Sequence, residues 1–175
     1  KRFNLKFKTN IKKNFNISPN QGVVIIDEEN KLRQMSWGIH PSWKKTTIIN
    51  ARVETLTVKK TFFNTSRCVF IADGYFEWQR NYGLKTPYYH YLIDDFLYFA
   101  GIYDSSGCCI VTTNSFNYLS NIHSRQPFFL LESQVNLWLN KEISSTAFNE
   151  IIKFHKVSTK VNMTWNNSSD LIMEK

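Results

Sequence analysis

The sequence holds only three cysteines, Cys68, Cys108 and Cys109, an odd number with no Cys-x-x-Cys spacing. This excludes a disulfide framework, and with no signal-peptide pattern at its start the chain is expected inside the cell, in the cytoplasm and nucleoid or in a nucleus. Apolar runs are short. None approaches the roughly 20 residues that span a bilayer, so no membrane partner is expected. The four histidines, His40, His90, His123 and His155, lack ligand spacing, and the cysteines do not complete a metal set, so no metal and no cofactor is expected. Internal repeats and long linkers are also missing. Residues 1–175 therefore read as a single domain, long enough to bury a core without staples.

Acid is the other shortage. Lys and Arg number 22 against 14 Asp and Glu, a net charge of +8, while 42% of the residues are hydrophobic and 15% aromatic. That composition is globular, and its excess charge points to a polyanion. Clamping a duplex backbone needs cations alone, whereas holding unstacked bases also needs flat rings. Single-stranded nucleic acid is the first partner this suggests; a compositional bias towards lysine and asparagine is the alternative.

Residues 1–14 are basic without a clean period and read as an arm or a short helix. Strands are predicted at Val23–Ile26, Lys31–Ile39, Leu56–Val58, Cys68–Ala72, Tyr75–Trp78, Tyr88–Ile93, Phe96–Ala100 and Cys109–Thr113. Most are bounded by Gly, Asn, Asp or Pro, and the short spacings favour antiparallel pairing. Helical spacing comes late, in Leu131, Val135, Trp138 and Leu139, and again in Ala147, Phe148, Ile151 and Ile152 behind Ser144–Thr146. The expected architecture is α+β, with a curved, mostly antiparallel, barrel-like sheet and a few peripheral helices.

Four segments carry more polar chemistry than a β core needs. In Trp37-Gly-Ile-His-Pro-Ser-Trp43, Trp37 reads as core, whereas Trp43, beyond a proline and beside Lys44 and Lys45, reads as a stacking platform. In Ile49-Asn-Ala-Arg-Val-Glu-Thr55, alternation puts Asn50, Arg52 and Glu54 on one face of an extended segment. Such a face is either solvated surface or a device to fix a phosphate and orient a nucleophile. Cys68–Trp78 reads as a strand, an Asp-Gly turn and a second strand, with Glu77 between Phe76 and Trp78. Apolar flanks of that kind suit a carboxyl group to acid-base work. The fourth, Asn121-Ile-His-Ser-Arg-Gln-Pro127, places His123 two residues before Arg125, which on spacing alone reads as surface.

In this order the segments resemble the SRAP family, the SOS-response-associated peptidases. The family's generic motifs are Met-Cys-Gly-Arg-Phe, Tyr-Asn-x-Ala-Pro, Trp-Gly-x-x-Pro-x-Trp, Asn-Ala-Arg-x-Glu-Thr, Ala-Asp-Gly-Phe/Tyr-x-Glu-Trp and Ile-His-x-Arg-Met-Pro. The sequence also carries Phe15-Asn-Ile-Ser-Pro19 at the second of these and ends with His155-Lys-Val-Ser158 and Asn166–Ile172, so the likeness spans the chain. Ser124 stands where the family has Asp, and Gln126 where it has Met.

The resemblance implies an abasic-site sensor that binds single-stranded DNA and forms a covalent thiazolidine crosslink through an N-terminal cysteine; the chain is expected to be a monomer. Lys1-Arg2-Phe3 aligns with Gly-Arg-Phe, so that cysteine is expected immediately before Lys1, exposed by autoproteolytic removal of the initiator Met. By the same resemblance Asn50 holds the nucleophile, Glu77 shuttles protons for its amine and His123 assists opening of the deoxyribose ring. Arg2, Arg52 and Arg125 are expected on the flanking phosphates, Thr112 as a weaker contact, and Trp43 and Pro19 where the base stack is interrupted. A non-covalent module for single-stranded nucleic acid, lacking the nucleophile, is the competing reading, and a peptidase acting on other proteins is a third.

Overall fold

The structure is a computed structural model, and it describes residues 12–43, 45–116, 118–143, 145, 148 and 150–175. Eleven strands and one short α-helix are found there: β1 (Gly22–Ile26), β2 (Leu32–Ser36), β3 (Asn50–Arg52), β4 (Ser66–Ala72), β5 (Gly74–Asn81), β6 (Leu84–Tyr91), β7 (Leu97–Asp104), β8 (Gly107–Asn114), β9 (Arg125–Pro127), β10 (Phe129–Leu130), α1 (Val135–Leu139) and β11 (Lys153–Lys156). They form two sheets. The larger runs β2-β1-β4-β7-β8-β3, with β10 also on β7 and β9 also on β8; the smaller runs β11-β6-β5. All ladders are antiparallel except β3 on β8, which is parallel. The arrangement is thus the mixed, strand-dominated α+β fold expected from the sequence, with one qualification. An isolated bridge from Trp37 to Cys108 brings the end of β2 towards β8, but among the described residues no ladder closes a barrel.

Alternation along β4 explains the layering. Val69 faces one core with Ile26, Ala100, Ile102 and the α1 residues Val135, Trp138 and Leu139. Cys68 and Phe70 face the other, with Phe99, Phe129 and, from the smaller sheet, Tyr75. Trp138 is fully buried and its indole N–H donates to the carbonyl oxygens of Cys68 and Gly101 at 2.9 and 3.2 Å, satisfying the one polar atom of a large apolar ring.

Asp73-Gly74 is the point where the chain leaves one sheet for the other. β4 pairs with β1 and β7, β5 with β6, so the two strands flanking this dipeptide do not pair with each other. A Cβ at Gly74 would lie 2.4 Å from the His90 carbonyl oxygen and 2.4 Å from the Tyr89 ring. The glycine is there for close approach of two backbones rather than for a tight turn.

Two expected elements differ. No strand forms at Leu56–Val58: β3 ends at Arg52, residues Val53–Thr55 make a 3-10 turn, and Leu56 donates its N–H to Val53 while its side chain enters the core. No helix forms at Phe148, Ile151 or Ile152, and Ala147 lies outside the described residues. Phe148 packs flat on Phe116, Ile152 is buried, and the chain continues extended into β11 on the edge of β6. A partner edge outweighed helical spacing. The basic arm before residue 12 also lies outside the described residues.

Candidate active site at the seam between the sheets

The parallel strand β3 is short because it is an edge strand paired on one side only. Ala51 is buried against the sheet, and the side chains of Asn50 and Arg52 are exposed, with no hydrogen bond or ion pair among the described residues. Trp37 anchors the approach to this strand. Its indole N–H donates to the Ile49 carbonyl at 3.0 Å, and its backbone N–H and C=O pair with Gln21 and Asn20 beside Pro19. Trp37 is therefore held against the core, as its position in a strand suggested, while Trp43 is 67% exposed and Pro19 is exposed.

The neighbouring β8 and β9 carry the next group. Arg125 opposes Asn114 in register, and its guanidinium is fully engaged at the terminal nitrogens. Nη1 donates to Glu54 Oε1 at 2.9 Å and Asn114 Oδ1 at 2.8 Å; Nη2 donates to Glu54 Oε2 at 3.0 Å and the Thr112 carbonyl at 2.7 Å. This bidentate contact outweighs the opposing effect of burial and holds the Glu54 carboxyl below its usual range. The structure thus makes Arg125 a brace joining β8, β9 and the turn after β3; a phosphate there would have to displace Glu54. Arg52, opposite Thr112 in register, is a cation of this edge with no side-chain hydrogen bond or ion pair among the described residues, near enough to Glu54 to add to the lowering of its pKa.

His123 lies on the loop leading into β9. Its Nδ1 accepts from the Arg125 N–H at 3.1 Å and lies 3.0 Å from the Arg125 carbonyl, and the His123 carbonyl accepts from the Ser115 hydroxyl at 2.7 Å. The ring is therefore oriented by the same residue whose side chain braces the edge. Across from it, on β5 of the smaller sheet, Glu77 Oε2 lies 4.0 Å from His123 Nδ1, and Gln79 Nε2 donates to the Asn121 carbonyl at 2.8 Å. When His123 is neutral and accepts at Nδ1, its ring proton sits on Nε2; protonation adds an N–H at Nδ1, beside the Glu77 carboxylate.

The environment of Glu77 is not the apolar one its sequence neighbours suggested. Phe76 and Trp78 point to the opposite face of β5, against Tyr89, Val157, Val161 and Leu171. Glu77 instead keeps 28% of its side chain exposed and faces a histidine. Thus Asn50, Arg52, Thr112 and Arg125 are gathered on one edge, and Glu77 and His123 meet beside it across the seam. Arg2 and Lys44 lie outside the described residues. Sequence reasoning placed Glu54 on the polar face with Asn50 and Arg52 but did not foresee its pairing with Arg125, and it gave no role to Asn114 or Gln79. Gln126, the residue in place of Met, is buried and its side-chain oxygen accepts the Phe116 N–H at 2.8 Å, pinning the start of the His123 loop.

A family model described as SOS response associated peptidase (SRAP) matches residues 1–170. The chain belongs to the SRAP family. Among curated SRAP relatives, the abasic site processing protein YoaM of Bacillus subtilis is 30% identical, over 90% of this chain and 83% of its own length. YedK of Escherichia coli, also named an abasic site processing protein, is 29% identical over 90% and 83%. HMCES of Xenopus tropicalis, of the same designation, is 30% identical over 81% of this chain and 57% of its own. A protein from Bacteroides thetaiotaomicron shares the fold with a TM-score of 0.76, at 23% identity, covering 89% of this chain and 82% of that one. A phage-related protein of Bordetella bronchiseptica gives 0.68 at 25% identity, covering 81% and 80%.

Within this SRAP chain the three cysteines are free and buried. Burial pushes the thiol of Cys68 well above its ordinary range, that of Cys108 up to about 12, and that of Cys109 higher still. None is a ready thiolate, and an internal residue has no free α-amine. The SRAP motif Phe15–Pro19 has a structural task. Asn16 is buried, and its amide nitrogen lies 3.1 Å from each of the carbonyl oxygens of Val161, Met163 and Asn166, while the Phe15 N–H donates to Asn167 Oδ1 at 2.6 Å. The first described residues are thereby fastened to the last.

Proposed function

We propose that this chain processes abasic sites in single-stranded DNA by covalent capture of the lesion, acting as a single domain. The observation that carries the reading is the approach of Glu77 Oε2 to His123 Nδ1 at 4.0 Å, beside an edge that exposes Asn50 and Arg52. An abasic sugar in its open form presents an aldehyde at C1′. An α-amine, with an ordinary pKa of about 8, is partly unprotonated near neutral pH, unlike a lysine side chain. Its attack gives a carbinolamine, loss of water gives an imine, and addition of a thiol from the same residue closes a thiazolidine. The intramolecular closure gains the large effective concentration of two groups on one residue.

The nucleophile in this reading is a cysteine immediately before Lys1, bared by removal of an initiator Met. Glu77 takes the proton from the amine and returns it to the departing hydroxyl; His123 protonates the ring oxygen as the sugar opens. Asn50 orients the nucleophile. Arg52 and Arg2 hold the flanking phosphates, with Arg125 and Thr112 fixing the edge from which Arg52 reaches. Trp43 and Pro19 cover the exposed base where the stack is broken. The names of the relatives and the co-location of the matching motifs support this reading.

The test is a denaturing gel with an abasic single-stranded oligonucleotide and the chain preceded by Cys with a free α-amine. A heat-stable adduct is expected, absent with intact DNA and absent when that Cys is replaced by Ala. Glu77→Gln and His123→Ala are expected to slow its formation by at least tenfold. An undiminished adduct from the Ala variant overturns the reading. If no adduct forms with Cys in place while single strands still bind, the non-covalent module is the correct description.

A further inference from the structure

The tip of the β5–β6 hairpin has three features that its own stability does not explain. The two strands are joined by Tyr82 and Gly83 inside the pair Asn81 and Leu84. Both turn residues have positive φ, 47° and 81°. A two-residue turn of this kind favours Asn-Gly, and a bulky aromatic in the left-handed region is disfavoured. The Tyr82 ring gains no packing in return, since it is fully exposed, and Leu84 beside it is 71% exposed. In the next pair Arg80 stands directly opposite Lys85, and like charges facing each other across a ladder repel. Both are exposed. Arg80 has no hydrogen bond or ion pair among the described residues, and Lys85 lies 4.7 Å from the centre of the Trp78 ring. No acidic residue occurs between Glu77 and Tyr88 to offset them.

A strained exposed ring flanked by two cations without a carboxylate partner among the described residues is the pairing that a single nucleic-acid strand requires, a flat surface for a base and positive charge for its phosphates. The hairpin also starts at the site. Glu77 lies on β5, and Gln79 ties that strand to the Asn121 carbonyl on the His123 loop. We propose that the hairpin tip is a second contact for the DNA strand, Tyr82 stacking on an unpaired base and Arg80 and Lys85 neutralising phosphates outside the lesion. The proposal rests on the reading of the site as one for single-stranded DNA. Five residues of strand from Glu77 to Tyr82 reach about 16 Å, or about five nucleotides at stacked spacing.

The experiment measures equilibrium binding of the whole chain to intact single-stranded oligonucleotides of about 3 and about 20 nucleotides, the first too short to join the site to the tip at stacked spacing. Tyr82→Asn suits the left-handed turn, so its melting temperature is expected to equal or exceed that of the parent. Its affinity is expected to fall about tenfold on the long strand and to stay unchanged on the short one, with Tyr82→Trp restoring it. Arg80→Gln with Lys85→Gln is expected to lower the slope of log affinity against log salt by about 1.4. Equal affinity of Tyr82→Asn and parent on the long strand overturns the proposal, as does an equal loss on both lengths. A parent chain that binds no single strand overturns the reading of the site itself, an outcome distinct from either.

Discussion

Arg125 decides more than its own contacts. Its side chain locks Glu54, Asn114 and Thr112 together, and its backbone orients the His123 ring. Glu54 is half exposed, so its share of stability is small, but its removal leaves an arginine side chain that is only 17% exposed without its carboxylate. Glu54→Gln is expected to cost about 1 kcal/mol by urea denaturation at pH 7. It should also slow adduct formation, because the brace that orients His123 loosens. Since folding lowers this carboxyl's pKa, its contribution is complete above the ordinary glutamate range and disappears as pH falls through the lowered folded value. The difference between parent and variant should therefore shrink in acid; a constant difference down to pH 2 argues against the assignment. The amide and the guanidinium of the Asn50–Arg52 face were legible from alternation. The partnership of Glu54 with Arg125 was not, because 71 residues separate them.

The elements show where local pattern sufficed. The runs at β1, β4, β7 and β8 are β-branched and apolar and became strands close to where they were expected, and the Val135–Leu139 periodicity became α1. Ile152 and its neighbours failed as a helix because an open edge on β6 was waiting for them. Phe15–Pro19 and Asn166–Ile172 illustrate a different limit. Each reads as a turn-rich polar segment, and only their meeting reveals a clamp built on Asn16. Asn16→Ala removes that buried donor group and leaves the carbonyls of Val161, Met163 and Asn166 to find water, at a cost of about 2 kcal/mol. The expected readout is a lowered melting temperature together with faster amide exchange over residues 161–167. Unchanged exchange there would show that the ends are held by something else.

At the scale of the molecule, the two sheets are joined through an aromatic core in which His90 is buried at 1% exposure and stacks on Tyr75 at 4.5 Å. Burial pushes the His90 pKa down to about 4, against a weaker upward pull from backbone contacts with Tyr88 and Tyr75. Above the unfolded value of about 6.5 the ring is neutral in both states. Between there and about 4 only the unfolded chain takes up the proton, so stability falls by as much as about 1.4 kcal/mol per pH unit, levelling once the folded ring is protonated too. His90→Phe keeps the stacking and removes the titration, so its unfolding free energy should lose that slope between pH 6.5 and 4; an unaltered slope would assign it to other groups.

By itself the sequence determined the family, the strand-rich class and the identity of the chemical groups, because motifs, alternation and charge are local properties of the chain. Tertiary structure alone decided that Glu77 faces a histidine rather than its own aromatic neighbours, that Arg125 is a brace, that Asp73-Gly74 crosses between sheets, and that all three cysteines are buried. Each depends on which distant segment occupies the other side of a strand, which no local pattern encodes. The shortage that marked the chain at the outset, few cysteines and none well spaced, thereby acquires its meaning from packing.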